Sequence, residues 1–541
     1  MKSNNKQEFN CVIAGGGVAG LVTALNIAEQ SDQRICIIDR DMPERLGGLA
    51  RWAFGGMALC GTTQQRRAKI PDSPARLLKD WHNFAEYGLA DYWPKAWAKE
   101  YAEHNHDKVY QWLQSLGLSF LPAVNWVERG LLGQGNSVPR YHVLWGTGWH
   151  LVETIIEKLA PFIASGQVTI LHRHKVLAPR FDAGQLCGVR VLNEVTAQNF
   201  VINAPCFVVA CGGINGSMAQ VKKNWYKPWG KPPSSMLNGA NPISDGQLHQ
   251  QIAEHGGLIT HSDKMWNYAA GIAHPQPEFE EHGLSLIPSK SALWLDHSGK
   301  RIGPQPLVTG FDTRYLCQQV AKQAHPWTWQ VMNWKIAKKE LAVSGSQHNP
   351  SIRDKNLLGL AKETLFGNQR LVEQLAAESA DFIVADDLTQ LAEKMNDLTG
   401  QALVDLDVMR QAVADYDLQL AGKGSFENDD QARRIRHARQ WKVDKLRTCN
   451  LQPISDSKAG PLIAIKLQLI SRKSLGGIQT NLSSQVLTQA GEVIDGLYCV
   501  GEAAGFGGGG ASGLRSLEGT FLSGCILTAR NAAQAIIEKS A

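Results

Sequence analysis

Three glycines set between an apolar run and a helix-forming run leave the start of this chain few folds to adopt. Cys11-Val-Ile-Ala is followed by Gly15, Gly17 and Gly20, and a second strand-like run, Arg34-Ile-Cys-Ile-Ile-Asp39, ends on an acid. Strand, tight turn and helix in that order aim backbone N–H groups and a helix dipole at a pyrophosphate. Gly15 allows the turn, Gly17 lets the backbone reach the phosphates, and Gly20 lets helix pack on strand. Asp39 stands at the spacing of a ribose-binding carboxylate. The same stretch, Cys11 to Ala28, is uncharged and follows Lys2 and Lys6, which mimics a signal peptide or a short membrane span. Glycines crowd its turn and no cleavage-site pattern follows. The reading is therefore the buried strand and first helix of a dinucleotide fold, and no other stretch approaches a membrane span.

A chain of 541 residues exceeds one ordinary core and predicts two or three domains. Strand-like runs at Val168–His172, Leu186–Val191 and Phe200–Ala210 continue the nucleotide fold, and a helical pattern runs from Ser244-Asp-Gly246 to Ala253. Half of the sixteen tryptophans fall between Trp52 and Trp149, which predicts a bulky core or pocket wall there. From about Ile259 to Ile454 polar and Pro-rich segments alternate with helices and no glycine fingerprint occurs. Strands return near Pro461–Leu469, and a helix from about Leu514 closes the chain. The expected division is 1–258, 259–454 and 455–541, a nucleotide fold completed by its own C-terminal segment around an insertion.

The net charge of +5 is small for this length and gives no reason to expect nucleic acid. Arg433-Arg-Ile-Arg-His-Ala-Arg439, with Lys442, Lys445 and Arg447, is the one basic run. The acids Glu427, Asp429 and Asp430 precede it, which favours a solvated surface helix over a polyanion site. Ten cysteines without CxxC or zinc spacing predict free thiols in a reducing, cytoplasmic compartment, and no metal.

A late segment, Gly496-Leu-Tyr-Cys-Val-Gly501-Glu502-Ala-Ala-Gly505, selects the cofactor. A simple NAD domain needs no such segment, whereas an FAD site can use a strand ending in glycine and an acid to meet the ribityl chain. Glu502 is the candidate acid, and the turn to Gly513 brings backbone toward the flavin. No second GxGxxG is present for a nicotinamide, so the electron donor or acceptor is unidentified. The remaining expected FAD contacts are Gly47, Gly48, Gly55, Gly56, Val176 and Gly212.

These residues resemble the superfamily of fumarate reductase, the succinate dehydrogenase flavoprotein and 3-ketosteroid Δ1-dehydrogenase, in its branch called FAD-binding dehydrogenases. The resemblance spans nearly the whole chain. It is carried by Gly135-Asn-Ser-Val-Pro-Arg-Tyr-His142 with Trp145-Gly-Thr-Gly148, by Ser344-Gly-Ser346 with Asn349-Pro350, and by Gly505–Gly510 with Leu517-Glu-Gly-Thr-Phe521. It implies an α/β fold, a Rossmann-like FAD-binding domain completed by the C-terminal segment, with an inserted α+β capping domain. It also implies hydride transfer between flavin N5 and a carbon–carbon bond beside a carbonyl or carboxylate. A flavin oxidase or monooxygenase and an electron-transfer subunit are the alternatives.

For the substrate, His274-Pro275 resembles the His-Pro-Thr segment of fumarate reductases without its threonine, and Arg314 in Asp312-Thr-Arg314 resembles their Thr-Arg-Asp arginine. Lys473 stands where those enzymes have a histidine, and Arg515 resembles a late arginine. Tyr141, His142 and Tyr315 are alternative proton-transfer groups. Leu46–Gly56 lacks the histidine that anchors FAD in the succinate dehydrogenase group and has Arg51 instead, so the resemblance implies non-covalent FAD. Substrate identity, direction and oligomeric state stay open.

Overall fold

The structure is a computed structural model that describes residues 8–422, 428–515 and 517–540; Lys2, Lys6 and Glu427 lie outside them. Its contacts divide the chain into two compact units. The first comprises Met1–Tyr226, Ala240–Trp266 and Arg472–Ala541, and the second Lys227–Gly239 and Asn267–Ser471.

The first unit is organised by strands with no charged side chain. Cys11–Ala14 and Ile35–Ile38 are buried at every position, as parallel strands covered on both faces must be. They pair in register, Cys11 against Ile35, and Cys11 faces Cys206 on its other side. The sheet runs Gln485–Leu487, Val493–Cys499, Cys206–Val209, Cys11–Ala14, Ile35–Ile38, Val168–Leu171. Its pairs are parallel apart from the antiparallel one at the Gln485–Leu487 edge. Successive side chains point to opposite faces. Ile13, Ile35 and Val208 therefore join the helices Val18–Gln30, Thr147–Ala164 and Thr520–Ser540 in one core. Val12, Cys36 and Phe207 join the other, formed with the antiparallel strands His174–Asp182, Gln185–Asn193 and Asn199–Asn203 and the helix Gln247–Glu254.

Two expectations are corrected here. The run Phe200–Ala210 is two strands in different sheets, Asn199–Asn203 and Cys206–Val209. Pro205 lacks an N–H for a ladder, and the chain changes sheet there. The closing helix begins at Thr520, not near Leu514. Gly513 and Gly519 have φ of +57° and +100°, values no regular helix holds. Among the tryptophans, Trp81, Trp97 and Trp112 are core residues and Trp149 is exposed.

In the second unit the central strand is Leu462–Ser474, which continues into the first unit at its end. It pairs antiparallel with Trp327–Asn333 and with Phe382–Ala385, and Met265–Ala273 and Gly283–Ile287 extend the sheet. Helices including Gln369–Glu378, Leu388–Thr399 and Leu406–Ala421 complete an α+β unit. The basic run forms the helix Asp430–Gln440, whose buried side includes Ala432, Ile435 and Ala438.

Candidate functional site

Sterics build the turn after the first strand. A Cβ on Gly15, whose φ is +113°, would meet the Ala210 carbonyl oxygen at 2.3 Å, and one on Gly20 would meet the Gly15 carbonyl oxygen at 2.0 Å. Gly17 differs, because a Cβ there would meet no protein atom within 4 Å. Gly17 is the N-cap of Val18–Gln30, which has no side-chain cap and no acid in its first turn. Its leading N–H groups and positive dipole end form an anion cradle made of backbone. Gly47 borders this turn, donating its N–H to the Gly16 carbonyl at 2.8 Å, and Gly48 follows it with φ of +56°.

Asp39 ends the second strand. Its Oδ2 accepts the Gly16 N–H at 2.5 Å and its Oδ1 the Asp41 N–H at 2.7 Å. Burial pushes its pKa up, and those two N–H groups oppose the rise. The carboxylate is fixed beside the glycine turn with lone pairs left for a ligand's hydroxyl groups.

The other expected cofactor glycines answer first to protein packing. A Cβ on Gly55 would meet the Gly148 nitrogen at 2.9 Å, one on Gly56 the Tyr141 ring at 1.9 Å, and one on Gly212 the Ser244 hydroxyl at 2.6 Å. In the late loop, Gly507 lies on the Trp97 ring, Gly510 on His261 and Gly513 on the Ala85 carbonyl. The Val176 side chain belongs to the apolar core, so its strand offers a ligand main chain.

Around Glu502 the structure assembles polar side chains from several segments. Glu502 Oε1 accepts the Ser474 N–H at 2.8 Å, and the Ser474 hydroxyl joins the Asn215 side chain and the Ile214 N–H. Lys473 lies next in the chain, its ammonium 4.4 Å from the Phe521 ring centroid. Trp266 Nε1 donates to Glu518 Oε2 at 2.7 Å. Burial lowers the Lys473 pKa to about 8, with Glu518 and Glu502 opposing the fall. Burial raises Glu502 to about 7, against the Ser474 N–H and Lys473. Tyr141 is raised by burial and then by the Glu518 charge, so its resting form is the neutral phenol. Glu518 thus links Lys473 and Tyr141 electrostatically, and Lys473 links them to Glu502. Sequence reasoning missed Trp266, Ser474 and Asn215. It quoted Glu518 in a motif without giving it a role, although an acid between two glycine turns was the available signal.

The remaining candidates make other contacts. Arg515 is ion-paired with Glu86 and lies over Phe84, and burial lowers its pKa. His142 is fully buried between the Thr62 hydroxyl and the Arg140 carbonyl, at 2.8 and 2.6 Å, and burial lowers it to about 4. Arg140 is equally buried, bridging Asp72 and Asp80 at 2.8 and 2.5 Å. This motif is framework, and Tyr141 is its member turned toward Glu518. In the second unit, Arg314 is buried over the Trp229 ring at 4.7 Å, in the first turn of Thr313–Ala321. His274 has the geometry of a turn histidine: Nδ1 accepts the Gln276 N–H at 3.0 Å and the ring stacks on His282 at 4.2 Å. Tyr315 is raised by burial. Among the described residues no cluster of metal-ligating side chains occurs, and no helix is long and apolar enough to cross a membrane.

The residues present fit FAD. Gly17 leaves an uncapped helix end open to a pyrophosphate, Asp39 places a carboxylate beside that turn, and Glu502 supplies a second carboxylate on the late segment. Fold and site together define a dinucleotide-binding α/β flavoprotein. The chain belongs to the FAD binding domain family, matching it over residues 10–522, and is an FAD-dependent oxidoreductase of the dehydrogenase type. It is 37% identical to a KsdD-like steroid dehydrogenase of Mycobacterium tuberculosis (strain CDC 1551 / Oshkosh), over 98% of this chain and 96% of that protein. The open conformation of a flavocytochrome c3 fumarate reductase superposes with a TM-score of 0.70 at 18% identity, covering 99% of this chain and 79% of that one. The 3-ketosteroid Δ1-dehydrogenase of Sterolibacterium denitrificans gives 0.70 at 13% identity, covering 98% and 100%. At those identities the two structures establish the fold.

Proposed function

We propose that this protein desaturates, or in reverse reduces, a carbon–carbon bond beside the carbonyl of a lipophilic, steroid-like ketone. The observation that carries the reading is Lys473, an ammonium 4.4 Å from the Phe521 ring centroid that interacts electrostatically with Glu518 and Glu502. The name of the relative that is 37% identical along almost the whole chain supports a steroid-like substrate. Bound FAD supplies a ring nitrogen that accepts or returns hydride. Desaturation takes a proton from the carbon next to the carbonyl and a hydride from the carbon one further on, and reduction returns both. When the proton leaves or the hydride joins, negative charge develops on the oxygen, and a preplaced donor in a dry site stabilises it. We assign that role to Lys473, with the neutral Tyr141 phenol as a second donor and the Trp266–Glu518 bond fixing both. Arg314, His274 and Arg515 are proposed as further substrate contacts, in that order, because Arg515 already holds Glu86. The expected FAD set stands as proposed, with Asp39 on the ribose, the two units serving as flavin-binding and capping domains. Ten free cysteines among the described residues suit a reducing compartment, and we propose a cytoplasmic one. The electron donor or acceptor is a separate partner.

Anaerobic mixing of the holoprotein with a 3-ketosteroid tests the reading. Flavin absorbance should bleach, and Lys473→Met should slow the bleaching on the order of 100-fold with full FAD content. Acid denaturation should release all the flavin, since the FAD is proposed to be non-covalent. If ketosteroids leave the oxidised flavin unchanged and enones leave the reduced flavin unchanged, the substrate class is wrong.

A further inference from the structure

The helix Leu357–Phe366 in the second unit has no buried residue, although six of its ten residues are Leu, Ala or Phe. Its apolar side chains are displayed: Leu357 is 68% exposed, Leu358 85%, Leu365 67% and Phe366 68%. At about 100° per residue these four and Ala361 occupy one half of the helix surface, with the exposed Lys362 among them. The opposite half carries Glu363, which accepts the Ser351 hydroxyl at 2.9 Å and interacts electrostatically with the half-buried Arg447. The inner face is thus satisfied, and the outer face is apolar.

Beside it packs the helix Lys442–Arg447, the end of the basic run that the flavin chemistry leaves without a role. Leu446 is 49% exposed there, Lys442 and Lys445 are exposed, and the Lys442 ammonium lies 5.9 Å from the Trp441 ring centroid. The nearby acids are engaged, Asp354 with Arg353 at 2.7 Å and Asp444 with Lys290 at 3.7 Å. Exposed leucine and phenylalanine rimmed by lysine, with an indole alongside, match the acyl boundary and headgroups of an anionic bilayer. We propose that this face, Leu357–Phe366 with Lys442–Arg447, is a docking surface for an anionic lipid membrane. The helix lies on the bilayer and does not span it: ten residues are too few to cross. Such docking holds the enzyme where apolar molecules concentrate, but it does not depend on the proposed substrate.

Cosedimentation of the FAD-loaded protein with vesicles tests this. Vesicles of phosphatidylcholine with phosphatidylglycerol should carry the protein down, and pure phosphatidylcholine should carry far less. Leu358→Glu with Leu365→Glu should weaken binding at least about tenfold, and Lys442→Glu with Lys445→Glu should remove the preference for anionic lipid. Flavin content and thermal midpoint check that each variant is folded. Phe366→Ser replaces the leucine pair where that pair loses flavin. Failure of the wild type to bind anionic vesicles overturns the proposal, as does equal binding by the folded apolar variant. A dimer in sedimentation velocity that the leucine pair abolishes, without vesicle binding, assigns the face to a second copy instead.

Discussion

At the scale of single residues, the site contrasts groups that titrate near neutrality with groups that burial has silenced. Lys473 is lowered to about 8, so its positive charge disappears as pH rises through that value. Substrate-dependent flavin reduction should fall over the same interval in stopped-flow profiles. Lys473→Arg should move the fall to higher pH, because arginine keeps its proton. A profile unchanged by that variant would separate the lysine from the chemistry. His142 and His249 behave oppositely, both lowered by burial from an ordinary 6.5 to about 4. Between those values the unfolded chain takes up protons that the folded chain refuses, so their contribution is complete above about 6.5 and shrinks as pH falls toward 4. The loss is about 1.4 kcal/mol per pH unit for each histidine. Glu502 and Asp312, raised to about 7 and about 6, act in the opposite sense over this range, so the test is a difference. As pH falls from 6.5 toward 4, His249→Leu should gain about 1.4 kcal/mol per pH unit relative to the wild type in denaturant unfolding. Asp39 and Glu502 could be singled out in the sequence as proposed cofactor acids because each follows an apolar strand, Ile35–Ile38 and Val493–Cys499. Trp266 and Ser474 were not, since their partners stand far off in the chain and no spacing links them. The ion pair of Arg515 was illegible for a related reason: its carboxylate partner Glu86 is more than 400 residues away.

At the scale of elements, glycines of similar appearance do different work. A Cβ on Gly20 strikes the Gly15 carbonyl at 2.0 Å, whereas one on Gly17 strikes nothing within 4 Å. Gly17→Ala should therefore fold with normal circular dichroism yet retain little FAD, while Gly20→Ala should fail to fold. Equal flavin content in Gly17→Ala and wild type would remove that residue from the pyrophosphate site. The first strand, turn and helix were readable because local pattern and tertiary role agree. The late loop was half readable. Its glycines were visible, but the tryptophans and carbonyls that require them come from Pro74–Ala85 and Tyr92–His104. The strand His174–Asp182 escaped notice because Lys175, Pro179 and Arg180 interrupt its apolar alternation.

At the scale of the whole molecule, the sequence showed that late residues complete an early fold, and the sheet gives this a strand-by-strand form. Cys206–Val209 is bordered by Val493–Cys499, and Val18–Gln30 packs on Thr520–Ser540. The ribosome therefore makes one side of the central sheet long before the other. At 5–20 residues per second, the edge of Cys206–Val209 waits on the order of 15–60 s for its neighbour while about 280 further residues are added. An unpaired apolar strand edge is a template for wrong pairing. A chain stopped before Val493 should accumulate as insoluble, flavin-free protein, and supplying the missing segment in trans should rescue it poorly. A soluble yellow truncation would contradict this. The order of synthesis thus leads us to expect newborn chains of this protein to depend on chaperones, a dependence set by where two strands sit in the gene.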